Sequence, residues 1–224
     1  MRNKIILIVI SSILLFQACS SVKVVNAWKA DQEAISNFKK RNILVIARTN
    51  NEKARIAFEM EIANQLRAKG FKAIESYSKA PQINKPEITE ERIALIRELM
   101  GYEGLDGVVI TVVKDKQQTT TTRSNGIYMG ASYSNFYPGY YGSFYNYYSY
   151  PYAYGSYYDS FGGYIPMGSS TSTNTKYVLE TVAYNLNTSN EDQIIAVVTT
   201  NLDNPKDAYK TAKKYVDEMM KGLE

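Results

Sequence analysis

The chain has 224 residues, with 26 Lys and Arg against 22 Asp and Glu, a formal charge of +4, no histidine and a single cysteine. Zinc sites of the His–Cys kind, Ser-His-Asp or Cys-His catalysis and an intrachain disulfide are therefore excluded. No Gly-rich phosphate loop follows any candidate strand, so no cofactor is expected and the chemistry points away from an enzyme.

Residues 1–18 have the layout of an export signal. Arg2 and Lys4 form a positive start, Ile5 to Phe16 an apolar stretch broken only by Ser11 and Ser12, and Ala18 a small residue before Cys19. The apolar stretch is shorter than the ~20 residues a spanning helix needs. A cysteine directly after the small residue resembles the lipoprotein signal. That resemblance implies that Cys19 takes a diacylglyceryl group and becomes the acylated N-terminus, with Phe16 and Gln17 departing from the usual pattern. The competing expectation is an inert cysteine at the end of an N-terminal membrane anchor. Lipoprotein processing would place the chain in the cell envelope on a lipid bilayer. Ser20 lacks the aspartate that retains many lipoproteins at the inner membrane, which favours the outer one. Removing Arg2 and Lys4 leaves 24 basic against 22 acidic residues, a charge of +2, and no clustered basic face for nucleic acid.

Residues 19–41 are expected to be a lipidated N-terminus and tether. Val22, Val24 and Val25 could add a short edge strand, and Trp28 could seal the side of a core. Ile43 to Ala47 is a continuous apolar run, the signature of a central parallel strand covered on both faces. Glu52 to Lys69 is helical in period and ends at Gly70, a C-cap glycine. On that helix Arg55 and Glu59 stand four apart. They predict either an ion pair shielding the core edge or a polar site beside the strand end.

Phe71 to Ser76 alternates as a second strand. Thr89 is a candidate N-cap for a helix carrying Ile93, Ile96 and Met100, and Val108 to Val113 is a third strand. Strand and helix alternate with short connections, which predicts a parallel βαβαβ unit. Tyr177 to Leu186 and Ile194 to Thr199 then form an antiparallel hairpin, and Asn204 with Pro205 opens a last helix lined by Ala208, Ala212, Tyr215 and Met219. The expected fold is α/β with a mixed sheet in two or three layers, in the order β-α-β-α-β, insert, β-β-α. Residues 42–123 and 176–224 make the single domain.

Residues 124–175 interrupt it. Asp159 is the only charged residue there, and 14 of the chain's 20 tyrosines lie from Tyr128 to Tyr164. The segment lacks the aliphatic residues needed to build a core, and a loop of this length is functional or disordered. Its Thr-rich arms could pair as an antiparallel ribbon. Candidate contact residues are Tyr140, Tyr141, Tyr145, Tyr147, Tyr148, Tyr150, Tyr152 and Tyr154, since tyrosine supplies interface area and a hydroxyl at low entropic cost. Lying more than a hundred residues beyond Cys19, the insert is expected to be free to face away from the lipid.

The element order resembles the TolB N-terminal domain, the curli secretion lipoprotein CsgG and the penicillin-binding-protein activator LpoB, and the chain as a whole resembles small envelope lipoproteins with a tyrosine-rich insert. The residues behind this are the Arg55-x-x-Phe58-Glu59 helix ending at Gly70, the Gly104-Leu105-Asp106-Gly107 turn and the Tyr177 to Leu186 strand. It implies a non-catalytic module that binds or scaffolds an envelope protein or glycan partner, with no site residue carried over. The alternatives are a subunit of an oligomeric secretion or pore assembly, a peptidoglycan binder, or a hydrolase pairing Glu59 with Asp106.

Overall fold

The computed structural model describes residues 22–79, 90–122, 144–145, 171–189 and 192–224. In chain order the elements are β1 (Val22–Lys29), α1 (Gln32–Phe38), β2 (Asn42–Arg48), α2 (Glu52–Ala68), β3 (Lys72–Glu75), α3 (Ser76–Lys79), α4 (Glu90–Tyr102), β4 (Gly107–Thr122), β5 (Thr171–Asn185), β6 (Ile194–Asp203) and α5 (Ala208–Gly222). The strands form one mixed sheet in the order β1-β6-β5-β4-β2-β3. β3, β2 and β4 are parallel, and the β4-β5-β6-β1 half is antiparallel. This is the mixed α/β fold expected from the element order.

The apolar run of β2 is fully buried at Ile43, Leu44, Val45 and Ile46, because helices cover both faces of the sheet there. On one face α2 and α5 bury Phe58, Ile62, Ala212, Tyr215 and Val216 against Val45, Val109 and Val198. The Phe58 and Tyr215 rings lie 5.2 Å apart. Gly70, at φ +84°, ends α2 as its sequence predicts. Its N–H donates to the Arg67 carbonyl and that of Phe71 to the Leu66 carbonyl, a Schellman closure.

The segment expected to be a tether contributes a strand and a helix. β1 is the sixth strand, paired from Val22↔Leu202 to Lys29↔Ala196. α1, capped by Asp31 on the Ala34 N–H, buries Phe38 to 3% exposure. Isolated apolar residues in a polar stretch hid this helix, since one buried ring suffices to dock it. Gly107 makes room for that ring, because a Cβ there would stand 2.9 Å from Phe38 Cε2. The last helix begins at Asp207, whose carboxylate accepts from the Lys210 N–H, and not at Asn204. Asn204 instead sits at φ +47° and accepts the Thr175 N–H at 2.7 Å, closing the β5 edge where β6 ends.

The opposite face is covered differently. α4 brings Ile96 and Met100 over Leu44, Ile46, Val108 and Ile110, and Trp28 packs at the margin of the same cluster. Over Tyr184 and Ile194 the cover comes from the tyrosine-rich segment itself. Phe144 is fully buried, its ring 5.8 Å from that of Tyr184, and its N–H donates to Gln193 Oε1 at 3.2 Å. A segment poor in aliphatic residues thus supplies a core aromatic, because one Phe side chain can fill what several smaller ones would.

β4 and β5 are longer than their neighbours. β4 parts from β2 after Arg48↔Val112 but continues against β5 to Thr122↔Thr171. A bulge between Val113 and Asp115 marks the departure, and Lys114 Nζ lies 3.1 Å from the buried Glu180 carboxylate. The Thr-rich arms form the end of this ribbon. At ~3.3 Å per residue, the ten residues from Val113 to Thr122 carry it about 33 Å beyond the β2 ladder. The ribbon leaves the sheet at the end where β1 begins at Val22, and not at the end where β1 finishes.

Truncating Phe144 to alanine is expected to cost about 3–5 kcal/mol, as for a core aromatic. Denaturant unfolding of the purified chain measures this, and a change below about 1 kcal/mol would show that the ring is not part of the cooperative core.

Candidate functional site

Among the residues expected to act, Cys19 lies outside the described residues, three positions before Val22. Tyr140, Tyr141, Tyr147, Tyr148, Tyr150, Tyr152 and Tyr154 also lie outside them. Tyr145 is placed, and it serves as a packing residue. Its ring is 5.0 Å from that of Phe144, and the Arg97 guanidinium stands 4.6 Å over its centroid. Burial pushes its phenol up from the ordinary value, while Arg97 pulls it back. Among the described residues no helix is long and apolar enough to cross a membrane.

Glu59 and Asp106 do not meet. Asp106 sits at the start of the parallel strands, where its carboxylate accepts from the Asn42 N–H at 2.7 Å, the Asn187 amide at 3.0 Å and Arg41 at 3.2 Å. Glu59 bonds Ala47, five residues further along β2 and so about 16 Å away at strand spacing. The two carboxylates belong to opposite ends of the sheet.

Arg55 and Glu59 form a buried network that is more than helix decoration. The first is 1% and the second 0% exposed. Glu59 Oε1 accepts from Arg55 Nε at 3.1 Å, Ser76 Oγ at 2.8 Å and the Ala47 N–H at 3.0 Å, and Oε2 accepts from the Tyr77 N–H at 2.8 Å. Arg55 Nη2 also reaches Ser76 Oγ at 3.2 Å. Burial pushes the Glu59 carboxyl up, and these donors pull it back. Four of these bonds converge on the Glu59 carboxylate, so the group binds three elements together, α2, the end of β2 and the start of α3.

A cleft of about 290 Å³ opens beside Ala47, at the carboxyl ends of the parallel strands. Such ends collect binding residues in open α/β sheets, because the turns that follow the strands converge there. One wall is Arg48, Thr49 and the start of α2, where Asn51 caps the Ala54 N–H at 3.1 Å. The other is Lys206, Asp207 and the start of α5, and the floor includes Thr111, Leu179 and Leu202. The positive ends of two helix dipoles therefore face one opening. Lys53 and Lys206 line it with Arg48, which is 2% exposed, against the one carboxylate of Asp207. The Lys210 N–H holds the Asp207 carboxyl below its usual range, with Lys53 contributing in the same direction.

Beneath the floor, Thr111 Oγ1 and Thr181 Oγ1 are 2.7 Å apart, and Thr181 Oγ1 is 2.7 Å from the Tyr215 hydroxyl. Burial pushes the Tyr215 phenol up to about 12, so it remains a neutral hydrogen-bonding group at ordinary pH. The arrangement suits binding of a polar or anionic group by cations and helix ends. None of the cleft's charged residues, Arg48, Lys53, Lys206 and Asp207, was singled out in the sequence. The available signal was positional, since both cleft helices start directly after strands that run in the same direction.

No protein-family model matches the chain, and no curated protein does. Among solved structures, two crystal forms of the PelC dodecamer from Paraburkholderia phytofirmans, one of a point variant, align over 91% and 92% of this chain and 97% of theirs. The identity is 9% and the TM-score 0.38 in both cases, a likeness that carries no information about function or assembly.

Glu59→Gln is expected to destabilise the fold by about 3–5 kcal/mol, because it takes the buried carboxylate charge away from the Arg55 guanidinium, whose other acidic neighbour, Glu52 at 3.6 Å, is solvent-exposed. The double change Arg55→Met with Glu59→Leu should cost less than the sum of its two single changes in urea unfolding. Additive losses would show that the two side chains do not act as one unit.

Proposed function

We propose that this chain is a lipid-anchored, non-catalytic binding module of the bacterial cell envelope that engages a partner at the membrane surface. The observation that carries this proposal is the convergence of three features at one end of the sheet. The chain enters β1 there at Val22, three residues after the cysteine of the lipoprotein-like signal. The β4–β5 ribbon leaves from the same end. The basic cleft opens there too, between the starts of α2 and α5. An anchor at Cys19 would hold all three close to the bilayer, and acyl chains contributing ~0.8 kcal/mol per buried CH₂ are enough to keep them there. The ribbon and the segment it carries then provide contact area, and the cleft takes a polar or acidic group of a protein partner.

Cys19→Ser is expected to abolish incorporation of labelled palmitate and to move the protein from the membrane to the soluble fraction of fractionated cells. Retention on the membrane without label would overturn the anchoring. A photo-crosslinker at Thr120 or Lys206 should give one discrete adduct in native envelopes, while one at Lys69, at the other end of α2, should not. Adducts from Lys69 alone would place the binding surface elsewhere.

A further inference from the structure

A second cavity, of about 520 Å³, lies at the far end of the sheet, and its size is within the ~300–1,000 Å³ of single-ligand sites. Its floor owes its depth to one cross-strand pair. Ala183 of β5 stands directly opposite Ala196 of β6, two methyl groups where the next pair along that face is Thr181 with Val198. α1 lies along one side of this hollow, with Ile35 on the cavity wall. The ends of α2 and α5 complete the walls with Leu66, Met219 and Met220, and methionine adapts to irregular apolar shapes.

The mouth is cationic. Lys29, Lys39 and Lys69 border it, with Glu224 as the one carboxylate among the lining side chains. Lys69 pairs with Glu224 at 3.6 Å, and Lys29 donates to the main-chain oxygens of Leu223 and Glu224. Lys39 has a different environment. Its ammonium lies 5.7 Å from the centre of the Phe71 ring, and among the described residues no carboxylate pairs with it. A deep apolar hollow beneath an ammonium without an acidic partner is complementary to a long-chain carboxylate.

We propose that this cavity binds one free fatty acid, with its hydrocarbon on the Ala183–Ala196 floor and its carboxylate at Lys39. The cavity and the point where the chain enters the sheet lie at opposite ends of β1. β1 runs from Val22 to Lys29, which places the mouth about 23 Å from the point where the chain enters the sheet. The inference goes beyond the proposed envelope role and does not depend on acylation of Cys19.

The test is calorimetric titration of the purified chain with saturated fatty acids of increasing length, below their micelle concentrations. Affinity is expected to rise about fourfold per added methylene until the cavity is filled, then level off. The methyl ester of the best binder should bind about tenfold more weakly, for want of a charge-assisted hydrogen bond. Lys39→Ala should remove that carboxylate advantage and leave both ester binding and the melting temperature unchanged, since Lys39 is exposed. Ala196→Leu should abolish binding by filling the hollow. If that variant does not fold, Lys39→Ala still decides the proposal. Equal affinity for acid and ester, no dependence on Lys39, tighter binding of a lysophospholipid of equal chain length, or no binding at any length would each overturn it.

Discussion

The β4–β5 ladder is the constraint on which the rest of the molecule depends. It runs without a missing strand partner from Gly107↔Asn185 to Thr122↔Thr171, interrupted only by the bulge after Val113. On one side it receives the parallel strands β2 and β3, and on the other the antiparallel strands β6 and β1. The parallel half buries both faces of β2 and so needs helices above and below. The antiparallel half arrives by a hairpin and by the returning N-terminal segment. Because β4 and β5 outlast their neighbours, the same ladder that centres the core also projects the ribbon from it.

The ladder gives the sheet two ends of different character. At the end where β2, β4 and β6 finish, two helices begin and a cleft opens between them, lined by Arg48, Lys53 and Lys206. The Glu59 carboxylate supports that end from inside by accepting the Ala47 N–H beside the cleft and the Tyr77 N–H at the start of α3. A charge buried this deeply persists only with its full set of donors, which holds α2 in one position against β2. At the other end α2 and α5 finish, α1 lies beside a hollow floor, and the lining is more apolar. One chain thus offers an opening between two helix starts and a more apolar one, about the length of a strand apart.

Much of the architecture was legible from pattern. The apolar run of β2, the helix closed by Gly70, the alternation of strand and helix and the C-terminal hairpin each follow from local periodicity and local stop signals. The Thr-rich arms pair as their composition allows. What escaped were features made by contacts distant in sequence. Phe38 docks a helix that polar neighbours conceal, and Phe144 completes a core from within a segment whose composition argues against one. Asn204 resembles a helix cap but is used by Thr175 to end a ladder, which leaves the capping to Asp207. The cleft residues escaped as well, since Arg48 and Lys206 lie 158 positions apart and only the sheet brings them together.

The sequence by itself determined which chemistries are closed to this chain and the identity of nearly every strand and helix. Those properties depend on composition and on neighbours within one or two turns. Only the tertiary structure decided that β1 pairs with β6, that the start of β1, the ribbon and the basic cleft share one end, and that Tyr145 packs under Arg97 inside the fold. Each of these depends on the direction in which a strand crosses the sheet, and that direction is set by pairing between residues far apart in the chain, which no local pattern encodes.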